Sequence, residues 1–340
     1  MNLRETLEER ERLWLSPYAT LSSRTRGRAR FEPEHAYRTA FQRDRDRILH
    51  AKAFRRLKRK TQVFLAPEGD HYRTRLTHTL EVAQIARTAA RALSLNEDLC
   101  EAISLGHDLG HAPFGHAGES VLNEVFSEGF RHCQQGLRIV DKLESTRHGP
   151  GLNLTWEVRD GIEHHSRGKG LLLGSPAPAA STLEGQIVSL CDAIAYINHD
   201  IDDAIRAGLI TLGDLPREAI RLLGATSSER IDAMTTALVL GSGDGRVGME
   251  EAVRQAVCEL RSYLYAHVYP GAVIQVEIEK AKKLLRELYG HLMERPTPEA
   301  LRGDPEDSLE RRVVDFIASM TDSYALQFYQ RLFLPISWPA

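Results

Sequence analysis

Long apolar runs, paired cysteines and a leader-like N-terminus are missing from this 340-residue sequence. No apolar run approaches the roughly 18 residues that a membrane-spanning helix needs. The first 15 residues alternate charge with leucine, unlike the apolar stretch of a secretory signal. The four cysteines lie far apart and form no CxxC pair, which argues against disulfides or a cysteine-type zinc site: Cys100, Cys133, Cys191 and Cys258. We therefore expect a cytoplasmic protein with no membrane partner, whose thiols are buried or idle.

Net charge is small, at −3, but it is unevenly distributed. Residues 24–60 contain 14 Lys/Arg against four Asp/Glu, an excess of ten positive charges. Such a segment could bind an anion, either nucleotide phosphates, nucleic acid or acidic residues of a neighbouring subunit. The alternative, which the sequence leaves open, is a solvated helix face whose charge is balanced by acids elsewhere in the chain.

Strand-like alternation is scarce, and apolar residues recur mostly at three- and four-residue steps, as helices require. This spacing predicts helices over 76–93 and 183–205. The Val-rich stretch 268–278 is the best candidate for a turn followed by a strand. We therefore expect an all-α fold with minor β structure at most.

The densest group of chemistry-bearing residues is HDLGHAPFGHAGE, at 107–119, with three histidines and two acids in 13 residues. Leu99 and Ile103 precede it on the apolar face of a helix, so His107 and Asp108 are expected at an inward-facing helix end. An imidazole nitrogen and a carboxylate oxygen there can share one metal ion if other helices supply further ligands.

Two such ligands are His78, in the first turn of the 76–93 helix, and Asp192, beside the apolar stripe of the 183–205 helix. Each of these residues alone would more often cap a helix end or be a hydrogen-bonded polar group in the core. Together with His107 and Asp108 they give an H…HD…D order on three helices, which predicts a metal site. Two imidazoles and two carboxylates suit a divalent ion such as Mn, Mg, Fe, Co or Ni.

This order resembles that of the HD superfamily of metal-dependent phosphohydrolases, and the flanking motifs narrow the resemblance. Six blocks, including KTQVF and HDLGHAPFGHAGE, are similar to the dGTPase-like deoxynucleoside triphosphate triphosphohydrolases: 38–64, 70–87, 107–119, 130–140, 192–204 and 311–329. They run from about residue 22 to about residue 330. The resemblance implies an HD-domain helical bundle that hydrolyses dNTPs to deoxynucleoside and tripolyphosphate, by water attack at the α-phosphorus.

The resemblance also implies catalytic residues. His116 and Glu119, three residues apart, match the catalytic pair, and a purely structural capping contact is the alternative for them. His132 matches a further active-site histidine that protonates the leaving 5′ oxygen or binds the phosphate. Many relatives carry Asn directly after it, whereas this chain has Cys133, and many carry a second acid where Ala193 stands.

Five residues are implied to contact the substrate. Arg75 projects from the same helix end as the metal ligand at position 78, where a guanidinium can bind a phosphate through two hydrogen bonds. His111 resembles a phosphate-contacting position, with a loop hydrogen bond as the alternative. Tyr196 and Asp200 follow Asp192 at four-residue steps on one helix stripe and match sugar or phosphate contacts. Gln62 matches a glutamine near the sugar 3′-OH.

Five further histidines are interpreted as structural. His164 and His165 are expected at a surface helix end, although contact with the metal's surroundings is the alternative. The other three are expected to have structural roles: His148, His199 and His267.

The chain is expected to divide into an N-terminal basic helical segment packed on the core (1–60), an HD catalytic core (61–210) and a helical C-terminal part of the same domain (211–340). Expected partners are a dNTP substrate, a dNTP or single-stranded DNA effector, and further copies of the chain in a dimer or hexamer. Two alternatives to a dNTP triphosphohydrolase are open. One is another HD phosphohydrolase, a nucleotidase or phosphodiesterase, and the other is a nucleotide- or DNA-binding regulator with a secondary HD site.

Overall fold

A computed structural model of the chain describes residues 2–62, 73–147, 149–166 and 179–335. His148 therefore lies outside the described residues. Within these ranges paired strands are limited to a two-stranded antiparallel ribbon, Ser145–Thr146 with Gly149–Pro150, and α-helices form most of the fold. The predicted all-α class is confirmed.

Eight helices lie in the N-terminal half of the chain. They are α1 (Leu3–Trp14), α2 (Ala40–His50), α3 (Lys52–Arg56), α4 (Arg75–Ala92), α5 (Glu97–Gly106), α6 (Gly115–Val125), α7 (His132–Arg138) and α8 (Trp156–His164). Seven more follow: α9 (Leu183–Arg206), α10 (Arg217–Leu223), α11 (Ser227–Leu240), α12 (Glu251–Tyr263), α13 (Ala272–Glu294), α14 (Leu309–Ser319) and α15 (Asp322–Phe333). Two π-helical turns extend α7 and α12, over Ile139–Leu143 and Leu264–Val268.

The helices that carry the predicted metal ligands begin at side-chain caps. Thr74 accepts a hydrogen bond from the Thr77 amide at the start of α4, and Thr182 accepts one from the Gly185 amide at the start of α9. Such caps satisfy amides that the first helical turn leaves unpaired. The two helices predicted from apolar spacing are thereby confirmed, to within a residue or two.

The strand predicted over 268–278 is wrong. Ala272 starts the 23-residue helix α13, and Val273 and Val276 point outward, 73% and 53% exposed. β-branched residues favour strands only weakly. Further along the same helix, Leu285 and Leu288 are fully buried. Burial of that face outweighs the local preference.

The core consists of two hydrophobic clusters. The first is built by α2, α4, α5, α8 and α9 with α10–α12, and it surrounds the predicted metal ligands. The second joins α6 to the C-terminal helices α13, α14 and α15. Since α6 carries His116 and Glu119, the C-terminal helices hold part of the predicted catalytic apparatus in place. The division at residues 60 and 210 stays a prediction.

Part of the positive charge of segment 24–60 is neutralised by acids. Glu32 pairs with Arg43, at 2.8 Å, and with Arg47, while Arg28 pairs with the buried Asp44. Among its exposed cations, five lie close together in residues 52–59: Lys52, Arg55, Arg56, Lys58 and Arg59. We call these five residues the basic patch.

Replacing Glu32 by glutamine should lower stability at neutral pH by about 1–2 kcal/mol, after allowance for solvent screening. Burial raises the pKa of Glu32, but Arg47, Asn153 and Arg43 outweigh it and lower the pKa from 4.5 to about 2. A carboxylate with a depressed pKa stabilises the fold above its unfolded pKa and loses that contribution as the pH falls through its folded pKa. Urea unfolding at pH 7 and at pH ~2 checks this.

The difference in unfolding free energy between wild type and the Glu32→Gln variant should have its full value above pH ~5. Most of this difference should be lost at pH ~2. Glu34→Gln is the matched control, because Glu34 is 71% exposed in its pair with Arg4 and should change stability by less than about 0.5 kcal/mol. An equal loss in both variants would contradict the prediction.

No helix in the described parts of the chain is long and apolar enough to cross a membrane.

Candidate active site

A cavity of about 370 Å³ lies where α4, α6, α7 and α9 meet the segment 261–278. Its walls include nearly all of the residues singled out in the sequence: Gln62, Arg75, His78, Asp108, His111, His116, His132, Asp192, Tyr196 and Asp200. The fold thus gathers side chains that are up to 138 positions apart in the chain.

The four predicted metal ligands converge on one side of this cavity. His78 Nε2 lies 3.0 Å from Asp192 Oδ1 and 3.9 Å from Asp108 Oδ2. His107 Nε2 lies 3.4 Å from Asp108 Oδ1 and 3.7 Å from Asp192 Oδ1. One ion could therefore be reached by two imidazole nitrogens and two carboxylate oxygens.

Hydrogen bonds outside the cluster fix how both imidazoles face it. His107 Nδ1 donates to the Ser104 carbonyl at 2.6 Å, which leaves Nε2 buried and without a partner among the described residues. His78 Nδ1 lies 3.2 Å from His199 Nδ1, and His199 Nε2 pairs with Glu81. Metal-ligating histidines are commonly held by such outer partners. The structural role predicted for His199 is thus the orientation of His78.

Asp108 is the most heavily contacted carboxylate of the cluster. Arg75 donates to its Oδ2 at 2.9 Å, and His111 Nε2 lies 3.1 Å from its Oδ1. Burial raises the pKa of Asp108, but the neighbouring charges of His107, His111 and Arg75 outweigh it and hold the pKa well below its usual range. His78 likewise lowers the pKa of the Asp192 carboxyl despite burial. Both carboxylates are ionised at neutral pH, as ligands of a hard cation must be.

The donor set fits a divalent ion. Mixed nitrogen and oxygen donors suit Mn, Mg, Fe, Co or Ni, and the orphaned Nε2 of His107 is the group that an ion would satisfy. His78, His107, Asp108 and Asp192 are the residues that would hold it.

Across the cavity from the metal ligands, the Glu119 carboxylate contacts two histidines, His132 and His116. Glu119 accepts hydrogen bonds from His132 Nδ1 and from the His132 amide, both at 2.8 Å, and lies 3.4 Å from His116 Nδ1. His132 is buried, whereas the His116 side chain is 77% exposed. Glu119 therefore pairs more closely with His132 than with His116, the partner predicted from the sequence.

Both members of the closer pair are charged. Burial lowers the pKa of His132, but Cys133 and Glu119 outweigh it and raise the pKa to about 10. His116 and His132 together hold the pKa of Glu119 well below its usual range. At neutral pH His132 is an imidazolium held by a carboxylate, the arrangement of a general acid.

The expectation that His165 lies at a surface helix end is wrong. His165 is only 2% exposed, and its ring centroid lies 4.9 Å from that of His107. Its carbonyl accepts a hydrogen bond from Ser189 on α9, so packing of the end of α8 against α9 turns the ring inward. His164 is the half-buried neighbour, 3.1 Å from Asp160.

Cys133 is also not an idle thiol. Burial raises its pKa, but His165 and His132 outweigh this and lower the pKa to about 5. Its Sγ lies 3.5 Å from His132 Nε2. Spacing in the sequence gave no sign of this, because its partners are an adjacent residue and one 32 positions away.

A glycine makes the approach of α7 to the metal cluster possible. A Cβ on Gly110 would lie 2.0 Å from the His132 carbonyl oxygen and 2.3 Å from the Gly136 amide nitrogen. Both are backbone atoms, which cannot rotate away. Gly110 therefore sets the distance between the HD turn and His132.

Replacing Gly110 by alanine should destabilise the fold by about 3 kcal/mol or more, because overpacking against backbone has no cheap relief. Thermal or urea unfolding measures this. Gly290→Ala is the matched control, since Gly290 is exposed in α13 with nothing within 4 Å of its Cβ position. It should be neutral or stabilise by up to ~1 kcal/mol. Equal stability of the two variants would contradict the prediction.

The far wall of the cavity contains residues that the sequence did not single out. Arg261 donates to the Tyr196 hydroxyl at 2.7 Å, and Tyr269 donates to Asp200. Burial raises the pKa of Asp200 to about 7, although the Tyr269 hydrogen bond opposes this. Arg261, Tyr265 and Tyr269 recur at four-residue steps, a helical spacing that could have identified them. Ile274 and Ile278 complete this wall.

Comparison with known proteins finds two matching domain families. An HD domain matches residues 75–197 and a phosphohydrolase-associated domain matches residues 247–331. A deoxyguanosinetriphosphate triphosphohydrolase-like protein of Caldanaerobacter subterraneus subsp. tengcongensis is 53% identical, over 99% of this chain and 98% of its own. The chain belongs to the deoxyguanosinetriphosphate triphosphohydrolase-like family. It is thus an HD-type phosphohydrolase.

Other members of the family are also similar over nearly their full length. The one from Desulfatibacillum aliphaticivorans is 50% identical over 98% of this chain and 99% of its own, and the one from Clostridium tetani is 45% identical over 98% and 97%. A crystal structure of a hypothetical protein from Aquifex aeolicus has a TM-score of 0.51 at 19% identity, over 85% of this chain and 71% of that one. This last likeness concerns the fold alone.

Proposed function

We propose that this chain hydrolyses deoxynucleoside triphosphates to deoxynucleoside and tripolyphosphate, by water attack at the α-phosphorus. The observation that carries the proposal is one cavity with a cation-binding cluster on one side and a carboxylate-held imidazolium on the other. The names of the relatives, which refer to deoxyguanosine triphosphate, supply the substrate class.

Four buried polar atoms beside the cavity support a polar ligand together with a cation. Arg75 Nε is a donor, and Gln62 Oε1, His107 Nε2 and His111 Nδ1 are acceptors, because the His111 proton is on the Nε2 that faces Asp108. None of them has a hydrogen-bond partner within the described part of the chain. Buried polar groups in native proteins are almost always paired, so a bound ligand or ion is the natural partner for these four.

The metal at His78, His107, Asp108 and Asp192 would polarise a phosphate oxygen and neutralise charge that develops on it. Arg75, fixed by Asp108, contributes positive charge beside the phosphates, and His111, whose pKa burial holds well below its usual value, lies beside them as a neutral ring. Tyr196 and Asp200 line the same cavity from α9, and in this proposal they contact the sugar. Gln62 Oε1 accepts a hydrogen bond from its 3′-OH.

Proton transfer in the proposal is divided between two histidines. The oxygen of the attacking water forms a bond to the α-phosphorus, and His116 takes up the released proton. The bond from phosphorus to the 5′ oxygen breaks, and His132 gives its Nε2 proton to that oxygen. Glu119 stays ionised throughout and holds both rings, which regain their original protonation by exchange with solvent.

A dNTP panel with Mn²⁺ or Mg²⁺ in ¹⁸O-labelled water tests the proposal. Tripolyphosphate carrying one ¹⁸O and an unlabelled deoxynucleoside are expected, because attack at phosphorus leaves the labelled oxygen on phosphorus. Label in the deoxynucleoside would contradict attack at phosphorus. Release of pyrophosphate or orthophosphate would point to the alternative, a nucleotidase or phosphodiesterase of the same superfamily.

The basic patch motivates a second proposal, that DNA or a second dNTP binds there as an effector of this enzyme, within a homo-oligomer. Its five cations are exposed on α3 and the following turn, and clustered cations bind phosphates in a salt-dependent way. Charge reversal at Lys58 and Arg59 should weaken single-stranded DNA binding and flatten its salt dependence. Unchanged binding would discard the effector role of the patch.

A further inference from the structure

His132, Cys133 and His165 form a buried cluster beside the cavity, and the proposed reaction uses only one of them. His132 Nε2 lies 3.2 Å from His165 Nε2 and 3.5 Å from Cys133 Sγ. All three ligand atoms lie within 4.8 Å of one another. The three residues are at most 6% exposed.

The outer hydrogen bonds of this cluster leave its inner nitrogens facing each other. His132 Nδ1 donates to Glu119 at 2.8 Å, and His165 Nδ1 donates to the Ile162 carbonyl at 2.8 Å. Each imidazole thus directs Nε2 at the other. Without a proton on either Nε2, two nitrogen lone pairs would face each other at 3.2 Å and repel, so a proton, as on the His132 imidazolium, or a cation belongs between them. Carboxylate and carbonyl partners on Nδ1 are also the usual supports of metal-ligating histidines.

Two of the three ligand–ligand distances match the edges of a tetrahedron around zinc, and the third is within 4.8 Å. Zn–N bonds of about 2.0–2.1 Å and a Zn–S bond of about 2.3 Å place two nitrogens roughly 3.3–3.4 Å apart and a nitrogen and a sulfur roughly 3.6 Å apart. The observed 3.2 and 3.5 Å separations are close to these values. Three protein ligands would leave one position for water or another ligand.

We propose that His132, Cys133 and His165 form a second cation site, which takes Zn²⁺ or another thiophilic divalent ion. The first cluster offers only nitrogen and oxygen donors, whereas this one includes a thiolate, so the two sites differ in the metals that they prefer. Binding releases to solvent the proton of the cluster and any proton left on the Cys133 thiol, because metals bind deprotonated ligands.

Occupation of this site would inhibit turnover. The cation would take the His132 Nε2 lone pair, on which the proton for the leaving 5′ oxygen is otherwise carried. This consequence rests on the proposed function, whereas cation binding itself does not. Zinc should therefore inhibit wild-type hydrolysis, and Cys133→Ser should raise the inhibitory zinc concentration by about 10–100-fold or more, since loss of even an outer partner of a metal ligand costs that much affinity.

Cobalt titration of the metal-free full-length protein tests the site without an activity assay. Wild type should show a thiolate-to-cobalt charge-transfer band in the near ultraviolet, with intense tetrahedral d–d bands, and one equivalent of Zn²⁺ should displace both. Cys133→Ser should lack the charge-transfer band. Cys258→Ser is the matched control, since that cysteine lies on α12 away from the cluster, and its spectrum should equal that of wild type. Asp108→Ala should keep the band.

Each outcome decides the proposal. Absence of the thiolate band from wild-type protein would overturn it and leave a proton between the two imidazoles. Persistence of the band in Cys133→Ser, or its loss in Cys258→Ser, would overturn it as well. The band in a protein that hydrolyses no dNTP would uphold the cation site and reject the proposed function, so that the two can fail separately.

Discussion

Asp108→Ala should abolish tight divalent-metal binding and dNTP hydrolysis together. The Asp108 carboxylate is within 4 Å of both ligand imidazoles and carries much of the charge that would attract the ion. Its removal also leaves the buried Arg75 guanidinium without its ion-pair partner, which places an uncompensated positive charge beside the site. Metal content after gel filtration in Mn²⁺ and tripolyphosphate release should both fall to background.

Asp232→Ala is the matched control for this prediction. Asp232 is exposed on α11, so the variant loses one carboxylate without touching the cavity and should keep both metal and activity. Circular dichroism on both variants shows whether Asp108→Ala is folded. A folded Asp108→Ala protein that retains stoichiometric Mn²⁺ would contradict the ligand assignment.

Glu119→Gln should lower turnover by roughly two to four orders of magnitude while the metal stays bound. A neutral amide can still accept a hydrogen bond, but it cannot stabilise the His132 imidazolium. The pKa of His132 should therefore fall from about 10, so less of the acid form is present, and the basic limb of the rate profile should move to lower pH. Single-turnover rates from pH 6 to pH 10, with metal analysis alongside, measure both effects.

Glu124→Gln provides the control on the same helix. Glu124 is exposed and pairs with Arg286 at 2.7 Å, so the chemical change is identical and the site is untouched. Turnover and pH profile should stay at wild-type values. If Glu119→Gln reduced activity only in proportion to a loss of metal, Glu119 would belong to the metal site and not to proton transfer.

The gathering of His78, His107, Asp108 and Asp192 was predictable because each stands on a helix or directly after a helix end. The apolar spacing before His107 and around Asp192 fixes which helix faces turn inward, and four-residue steps place Tyr196 and Asp200 on the same stripe. Their distances follow from helix packing, which apolar spacing does not give. The roles of these residues stay predictions until the variants are measured.

What could not be predicted depends on contacts between distant segments. His165 turns inward because α8 ends against α9, where Ser189 holds its carbonyl. Glu119 faces His132 because α7 packs closely against Gly110, and neither contact has a periodic signature. The Val-rich start of α13 has strand-like residues, and only burial of the later turns of that helix makes it helical.

The cavity wall formed by Arg261, Tyr269 and Ile278 can be altered by mutations that leave the metal-ligand cluster unchanged. The chemistry lies on helices α4 to α9, but one face of the cavity comes from a different stretch of chain, joined through Arg261 to Tyr196 and through Tyr269 to Asp200. Mutations in residues 261–278 can therefore reshape what enters the cavity without altering the ligand cluster or Glu119. In this fold the shape of the cavity wall and the composition of the ligand cluster can thus be changed independently, by mutations in different stretches of the chain.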